Sequence, residues 1–128
     1  EDFAGIINGA GYKQAFDNPA KFSVSLVPWT IIRWIARVLG FGAKKYARGQ
    51  WMQGMSFTGI MDAVHRHIIA WESGEDIDPE SGEPHLAHAA CGLAFLSWMI
   101  DGPDKAEYAH FDDRLFVGAA KLRARNSN

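Results

Sequence analysis

The 128-residue sequence contains one cysteine, Cys91, and no long hydrophobic run. A single cysteine cannot form a disulfide within the chain, and this one lies among apolar residues, where a thiol behaves as a small hydrophobic group. The longest apolar run, residues 86–100, is interrupted by His88 and Ser97 and is too short to cross a bilayer. No charged segment followed by an apolar stretch opens the chain. We therefore expect a cytoplasmic protein with no membrane partner.

The sequence also lacks an excess of charge of either sign. Thirteen Lys and Arg residues oppose 15 Asp and Glu residues, and the formal net charge is −2. No global field attracts the chain to nucleic acid, so we predict no specific nucleic-acid binding. Hydrophobic residues make up 48% of the chain and include five Trp and eight Phe, which is enough for one core. Apolar residues recur at helical rather than strand spacing, and this pattern predicts an all-α, compact helical bundle.

We expect a single helical domain over residues 1–128, in three parts. Residues 1–25 contain glycines without a clear period and predict an irregular arm. Residues 26–100 form the core. Residues 101–128 form a C-terminal helix, over about 105–125, and a tail.

The core begins with a helix at Pro28, followed by apolar residues at helical spacing up to Leu39. Gly40 or Gly42 is expected to end or interrupt this helix. Residues 43–54 are polar, aromatic and punctuated by glycine, and predict a helix end followed by a loop.

The clearest helix follows Ser56, which is a suitable N-cap. Its apolar residues fall on one face: Phe57, Ile60, Met61, Val64, Ile68 and Trp71. Gly74 closes this helix. Pro84 begins another helix that extends to about Ile100. Because the second helix is apolar nearly all round, we expect it in the centre of the core or in an oligomer interface.

Histidines and carboxylates lie close together where these two helices are joined. His85 and His88 are three residues apart at a helix start and share a face, and an acidic turn with Glu75 and Asp78 precedes them. We expect the turn and the histidines to be in contact, and predict a divalent cation, Mg or Mn, held by Glu75, Asp78, His85 and His88. His67, which a helical hairpin brings near His88, is predicted to be catalytic together with Glu75 and Asp78. The alternative is a solvated acidic turn with histidines that only cap or hydrogen-bond it.

Basic and aromatic residues are available for a nucleotide. We predict that Lys44, Lys45 and Arg66 neutralise phosphates and that Tyr46 or Trp51 contacts a base. The alternative for the two lysines is a basic helix end that complements the helix dipole. No Gly-Lys-Ser/Thr follows the nearby glycines, which excludes a P-loop. The absence of Gly-x-Ser-x-Gly, Cys-x-x-Cys and His-Asp counts against a serine hydrolase, a zinc ribbon and an HD-type phosphohydrolase.

Five short motifs occur in order along residues 41–96: GAKKY, Trp51 with Gly54, Arg66-His67, the turn GEDIDPESG, and HLAH. Their combination resembles the N-terminal domain of phage dATP/dGTP diphosphohydrolases, over roughly residues 26–100. The resemblance implies a phage or prophage origin, and so the cytoplasm of a host cell. It also implies kinship with all-α, MazG-like nucleotide pyrophosphatases, which often form oligomers. We therefore predict a homo-oligomer, built on the helices around residues 28–39 and 84–100.

The activity implied by the resemblance is metal-dependent hydrolysis of purine (deoxy)nucleoside triphosphates to monophosphate and pyrophosphate. MazG-like enzymes hold magnesium with ExxE and ExxD motifs on two helices. Here the comparable acidic residues fall in a turn broken by Gly74, Pro79 and Gly82, so that metal site is not reproduced and the histidines would have to contribute. The alternative functions are a non-catalytic phage nucleotide- or protein-binding helical module and a purely structural helical oligomer.

Overall fold

The computed structural model describes residues 22–45 and 49–117, except for the side chains of residues 43–45. The chain divides into two compact units, residues 1–30 and 31–128. The described part of the first unit is a 3-10 turn at Val24–Leu26 followed by the start of a helix. The predicted irregular arm lies almost wholly outside the described residues.

Four α-helices are described between residues 29 and 108: α1 (Trp29–Lys45), α2 (Phe57–Glu72), α3 (His85–Asp101) and the short α4 (Lys105–Tyr108). Two 3-10 turns, Gln50–Gln53 and Ala109–Phe111, accompany them. Within the described ranges there is no strand, only an isolated bridge between Ile77 and Pro84. The prediction of an all-α helical bundle is confirmed. None of the described helices combines the length and the apolar content that a bilayer crossing requires.

Helix α2 has the predicted cap and core face. The Ser56 side chain accepts a hydrogen bond from Gly59 N at 3.1 Å, which satisfies one of the free N–H groups of the first turn. Phe57, Ile60 and Val64 are buried. Trp71 was expected on the same face but is 45% exposed. The reason is that α3 begins opposite His67, so Trp71 lies beyond the end of its partner helix.

The core forms where α2 packs against α3. It contains six buried residues with several partly buried ones around them: Phe57, Ile60, Val64, Ala89, Leu96 and Met99. Full burial of a large apolar side chain contributes about 1.5–3 kcal/mol, so these contacts stabilise the hairpin. Helix α3 is not enclosed on all sides, because Leu93 and Ile100 on its other face are about half exposed.

Helix α1 continues through the glycines that were expected to end it. Gly40 and Gly42 both lie within α1, and neither has a positive φ. Glycine costs a helix about 1 kcal/mol relative to alanine, which lowers its stability without forcing an end. In the second unit, α1 exposes Ile31 and Ile32. Assembly through the exposed faces of α1 and α3 stays a prediction.

The C-terminal segment differs from the continuous helix expected over residues 105–125. Helix α4 ends at Tyr108. A 3-10 turn and three non-helical residues follow, and residues 115–117 are helical again. The break places the Asp113 carboxylate against the start of α2, where it accepts hydrogen bonds from Thr58 N at 3.0 Å and Thr58 Oγ1 at 2.6 Å. These bonds lower the pKa of Asp113. The start of α2 thereby gains a second hydrogen-bond acceptor besides Ser56, and the C-terminal segment is not a continuous helix.

Glycine at position 92 permits a close approach of α3 to α2. A Cβ added there would lie 2.6 Å from Cγ2 of Val64, which is buried and β-branched. We expect Gly92→Ala to lower the free energy of unfolding by about 1–3 kcal/mol, because the crowded core must shift. Urea denaturation measures this change.

Gly40→Ala is the matched control, since a Cβ added there would meet nothing within 4 Å. We expect Gly40→Ala to raise the free energy of unfolding by roughly 0.5–1 kcal/mol, from helix propensity alone. Equal gains from the two substitutions would contradict the close packing at Gly92.

Candidate functional site

Three histidines from two helices meet at one end of the α2–α3 pair. His67 comes from α2, and His85 and His88 come from the first turn of α3. The Nδ1 atoms of His67 and His85 are 2.9 Å apart. The His67 ring also stacks on the His88 ring, with centroids 4.5 Å apart and planes 7° from parallel. We call these three residues the histidine cluster.

The acidic turn between α2 and α3 folds back on itself and closes over this cluster. Asp78 N donates to Glu83 O at 2.9 Å, and Gly82 N donates to Asp78 O at 2.8 Å. Gly82 has a φ of 74°, a left-handed conformation that suits glycine. His85 N donates to Asp76 O at 2.9 Å, so the turn is hydrogen-bonded directly to the start of α3.

Two carboxylates of the turn contact two histidines, as the sequence predicts. Glu75 Oε1 lies 2.6 Å from His85 Nε2. Asp78 Oδ2 lies 3.3 Å from His88 Nε2, and Ser81 Oγ lies 2.6 Å from the same nitrogen. The Ser81 hydroxyl also accepts a hydrogen bond from Glu83 N at 3.1 Å, so it fixes the turn and the ring together.

The predicted cation ligands are in contact with one another and with other protein atoms. Both ring nitrogens of His85 are engaged by protein atoms, and the Nε2 of His88 is shared between Asp78 and Ser81. In the described part of the chain, no three His, Cys, Asp or Glu side chains are grouped to hold a metal ion. The predicted ligands therefore form two separate pairs, Glu75 with His85 and Asp78 with His88. A divalent cation, Mg or Mn, stays a prediction.

An ion pair joins α1 to the acidic turn. Arg37 Nε lies 2.9 Å from Glu83 Oε2, and the Glu83 side chain is only 14% exposed whereas that of Arg37 is 48% exposed. A pair with one half-exposed partner contributes about 0–1 kcal/mol to stability.

A cavity of about 1070 Å³ lies between α1, α2, α3 and the Gln50–Gln53 turn. His67 and His88 line it, and so do Trp51 and Phe95. The Trp51 and Phe95 rings are stacked, with centroids 4.8 Å apart and planes 19° from parallel. The volume is that of a pocket for a small-molecule ligand or cofactor, and it combines an apolar aromatic wall with imidazole groups.

The local environment favours neutral rings at His67 and His88. Burial, together with the neighbouring His88 and His85, lowers the pKa of His67. Burial also lowers the pKa of His88, and the Asp78 carboxylate opposes that effect in part. Cys91 lines the same cavity, but burial raises the pKa of its thiol to about 11, so it remains a protonated thiol at neutral pH.

Residues 12–109 match a family described as "dATP/dGTP diphosphohydrolase, N-terminal". The chain belongs to this family. A curated relative, the dATP/dGTP diphosphohydrolase of Salmonella phage PMBT28, is 41% identical over 81 residues, which is 63% of this chain and 28% of the relative. The chain thus spans less than a third of that relative's length. No solved structure matches it.

The match covers both the histidine cluster and the cavity. The structure brings together Glu75, Asp78, His67, His85 and His88. It also places Trp51, the predicted base contact, in the cavity wall.

The remaining substrate-binding predictions have mixed outcomes. Arg66 is exposed on α2 and is not among the residues that line the cavity. The side chains of Lys44 and Lys45, and the whole of Tyr46, lie outside the described residues.

Two contributors were missed by sequence reasoning. Ser81 stands in an acidic turn where serine commonly bonds to nearby groups, so its type was a usable signal. Arg37 is 46 residues from Glu83, and no local pattern indicates that pair.

The lowered pKa values of His67 and His88 predict that stability decreases as the pH falls below neutrality. Both native values lie below the ordinary value of 6.5, so the unfolded chain takes up protons first as the pH drops. The contribution of these two histidines to the free energy of unfolding is therefore fully present above about pH 6.5, and it is lost as the pH falls towards the lowered native values. Melting temperatures measured from pH 8 to pH 5 should show this decrease.

His88→Asn should make the decrease shallower, because one of the two protonation sites is removed. His65→Asn changes an exposed histidine on the same helix as His67 and should keep the slope of the unmodified protein. If His88→Asn leaves the slope unchanged, the lowered pKa of His88 is contradicted.

Proposed function

We propose that this chain carries the purine-nucleotide site of a phage dATP/dGTP diphosphohydrolase and hydrolyses the triphosphate to a monophosphate and pyrophosphate. The observation that supports the proposal is a single cavity lined by both a stacked aromatic pair and two histidines of the cluster. The name of the Salmonella phage relative, dATP/dGTP diphosphohydrolase, gives the substrate class.

The aromatic end of the cavity suits a purine. An aromatic face that stacks on a base contributes about 1–3 kcal/mol to binding, and this contact involves no hydrogen bond to the edge of the base. Trp51 is partly exposed and is supported from behind by its contact with Phe95. We assign the base to the Trp51 side of the cavity.

The histidine end suits the phosphates. His88 and Phe95 are seven residues apart on α3, which places them on one face about 10 Å apart along the helix axis. This spacing leaves room for the sugar and the first phosphate between the base and the cluster. Magnesium accompanies a nucleoside triphosphate as part of the substrate, and its charge offsets the repulsion between the phosphates and the acidic turn.

The reaction needs an acceptor for the proton of the attacking water. A neutral imidazole with a pKa near or below neutrality is suited to that task. His67 and His88 supply such rings, whereas the buried Cys91 thiol does not supply a thiolate. The second candidate function, a non-catalytic nucleotide-binding module, is favoured by His85, whose two ring nitrogens are both engaged by protein atoms.

A nucleotide panel tests the proposal. The full chain is incubated with dATP, dGTP, dCTP and dTTP, in magnesium or manganese, and the products are identified by phosphorus NMR. We expect purine monophosphate and pyrophosphate in equal amounts. Binding of purine nucleotides without turnover would favour the non-catalytic module and contradict the enzymatic proposal.

Substitution of the aromatic wall should affect binding more than chemistry. Trp51→Leu should raise the KM for dATP about tenfold, which corresponds to the loss of roughly 1.4 kcal/mol of stacking, with little change in kcat. Steady-state kinetics on the two proteins gives both constants. Trp71→Leu removes an exposed tryptophan of α2 that does not line the cavity, and its KM should stay at the wild-type value. Equal KM values for the two variants would place the base elsewhere.

A further inference from the structure

Glu75, His85 and His67 form an unbroken series of hydrogen bonds, which we call the relay. Glu75 Oε1 is 2.6 Å from Nε2 of His85, and Nδ1 of His85 is 2.9 Å from Nδ1 of His67. The His85 ring in the middle is 5% exposed, whereas Glu75 stands at the solvent side with its side chain 55% exposed. The relay therefore runs from the surface, through a buried imidazole, to a residue of the cavity wall.

The chemistry of the two end groups dictates where the protons lie. A carboxylate offers only lone pairs, so Nε2 of His85 carries a proton and donates it to Glu75. When the His85 ring is neutral, its one N–H is given to Glu75, so Nδ1 of His85 accepts and Nδ1 of His67 is the donor. His67 is then left with its lone pair on Nε2. Within residues 22–45 and 49–117, Nε2 of His67 has no hydrogen-bond partner.

We propose that His67 is the catalytic base of the diphosphohydrolase reaction, and that His85 and Glu75 are positioning residues that hold its Nε2 in the unprotonated form. This inference rests on the proposed function for its reaction. The water oxygen forms a new bond to phosphorus while the bond from that phosphorus to the bridging oxygen breaks. The electron pair leaves with pyrophosphate, and the water proton passes to Nε2 of His67 and then to solvent.

Binding of the predicted cation by His85 would compete with these hydrogen bonds. Each nitrogen of His85 lies within hydrogen-bonding distance of another protein group, so His85 would have to break one of these contacts to bind a metal. A base whose tautomer and orientation are fixed by a hydrogen-bonded carboxylate is a recurrent solution in enzymes that activate oxygen nucleophiles. Here the His85 ring lies between the carboxylate and the base.

Long-range proton–nitrogen NMR on uniformly labelled protein tests the relay without any substrate. The chain has five histidines, and single His→Gln variants assign their signals. We expect His67 protonated on Nδ1 and His85 protonated on Nε2. Glu75→Ala should release both rings to mixed tautomers, while Glu72→Ala, which removes an exposed carboxylate at the end of α2, should change neither. Wild-type His67 protonated on Nε2, or tautomers that Glu75→Ala leaves intact, would overturn the proposal.

Kinetics test the roles in turnover. Removal of a general base typically costs about 10²–10⁴ in rate, so His67→Gln should lower kcat by that factor. Glu75→Ala should lower kcat by about tenfold or more through the misaligned base, with KM within about twofold of wild type, and Glu72→Ala should match wild type. Unchanged kcat in His67→Gln overturns the base assignment alone. Absence of turnover in the wild type overturns the proposed function, and the NMR result then reports separately on the relay.

Titration with Mn²⁺ alone separates the relay from a metal site. If the relay is correct, the paramagnetic ion does not broaden the His85 ring signals ahead of those of exposed His65. Preferential broadening of both His85 nitrogens at stoichiometric Mn²⁺ would show that the ring is a ligand, and would overturn the relay.

Discussion

The close approach of α2 and α3 at Gly92 and Val64 determines where the functional side chains lie. The missing Cβ at position 92 lets Val64 pack directly against the backbone of α3. The hydrogen bond between His67 and His85 crosses this same interface about one helical turn from Val64. A bond of 2.9 Å between two short side chains requires helix axes that are close together, so the apolar contact and the polar contact depend on each other.

The acidic turn has a similar double role. Its backbone hydrogen bonds and the left-handed Gly82 determine the direction of Glu75 and Asp78, and these carboxylates in turn satisfy the ring nitrogens of His85 and His88. A buried polar group without a partner costs about 1–3 kcal/mol, so the 5% exposed His85 needs both of its contacts. The folded turn therefore satisfies buried polar groups of the fold as well as forming part of the site.

Local physics made much of this arrangement predictable from the sequence. The Ser56 cap, the buried face of α2 and the contact between the acidic turn and the histidines all follow from spacing over a few residues. What could not be predicted depends on tertiary geometry. The 46-residue separation of Arg37 from Glu83 leaves no local signal. Residue type identified Glu75 and His85 as polar partners, but the direction in which each ring nitrogen points is set only once the helices pack.

Gly92 lies on α3 between the histidine end and the aromatic end of the cavity. It lies four residues after His88 and three before Phe95, so the histidine and the aromatic ring flank it on one helix face. The glycine therefore brings α3 close to α2 for the imidazole contact while the neighbouring positions on the same face line the cavity. A larger residue there would push α3 away from α2, which would lengthen the contact between His67 and His85 and displace Phe95 from Trp51. Packing at one glycine thus controls both the alignment of the histidine cluster and the shape of the aromatic wall.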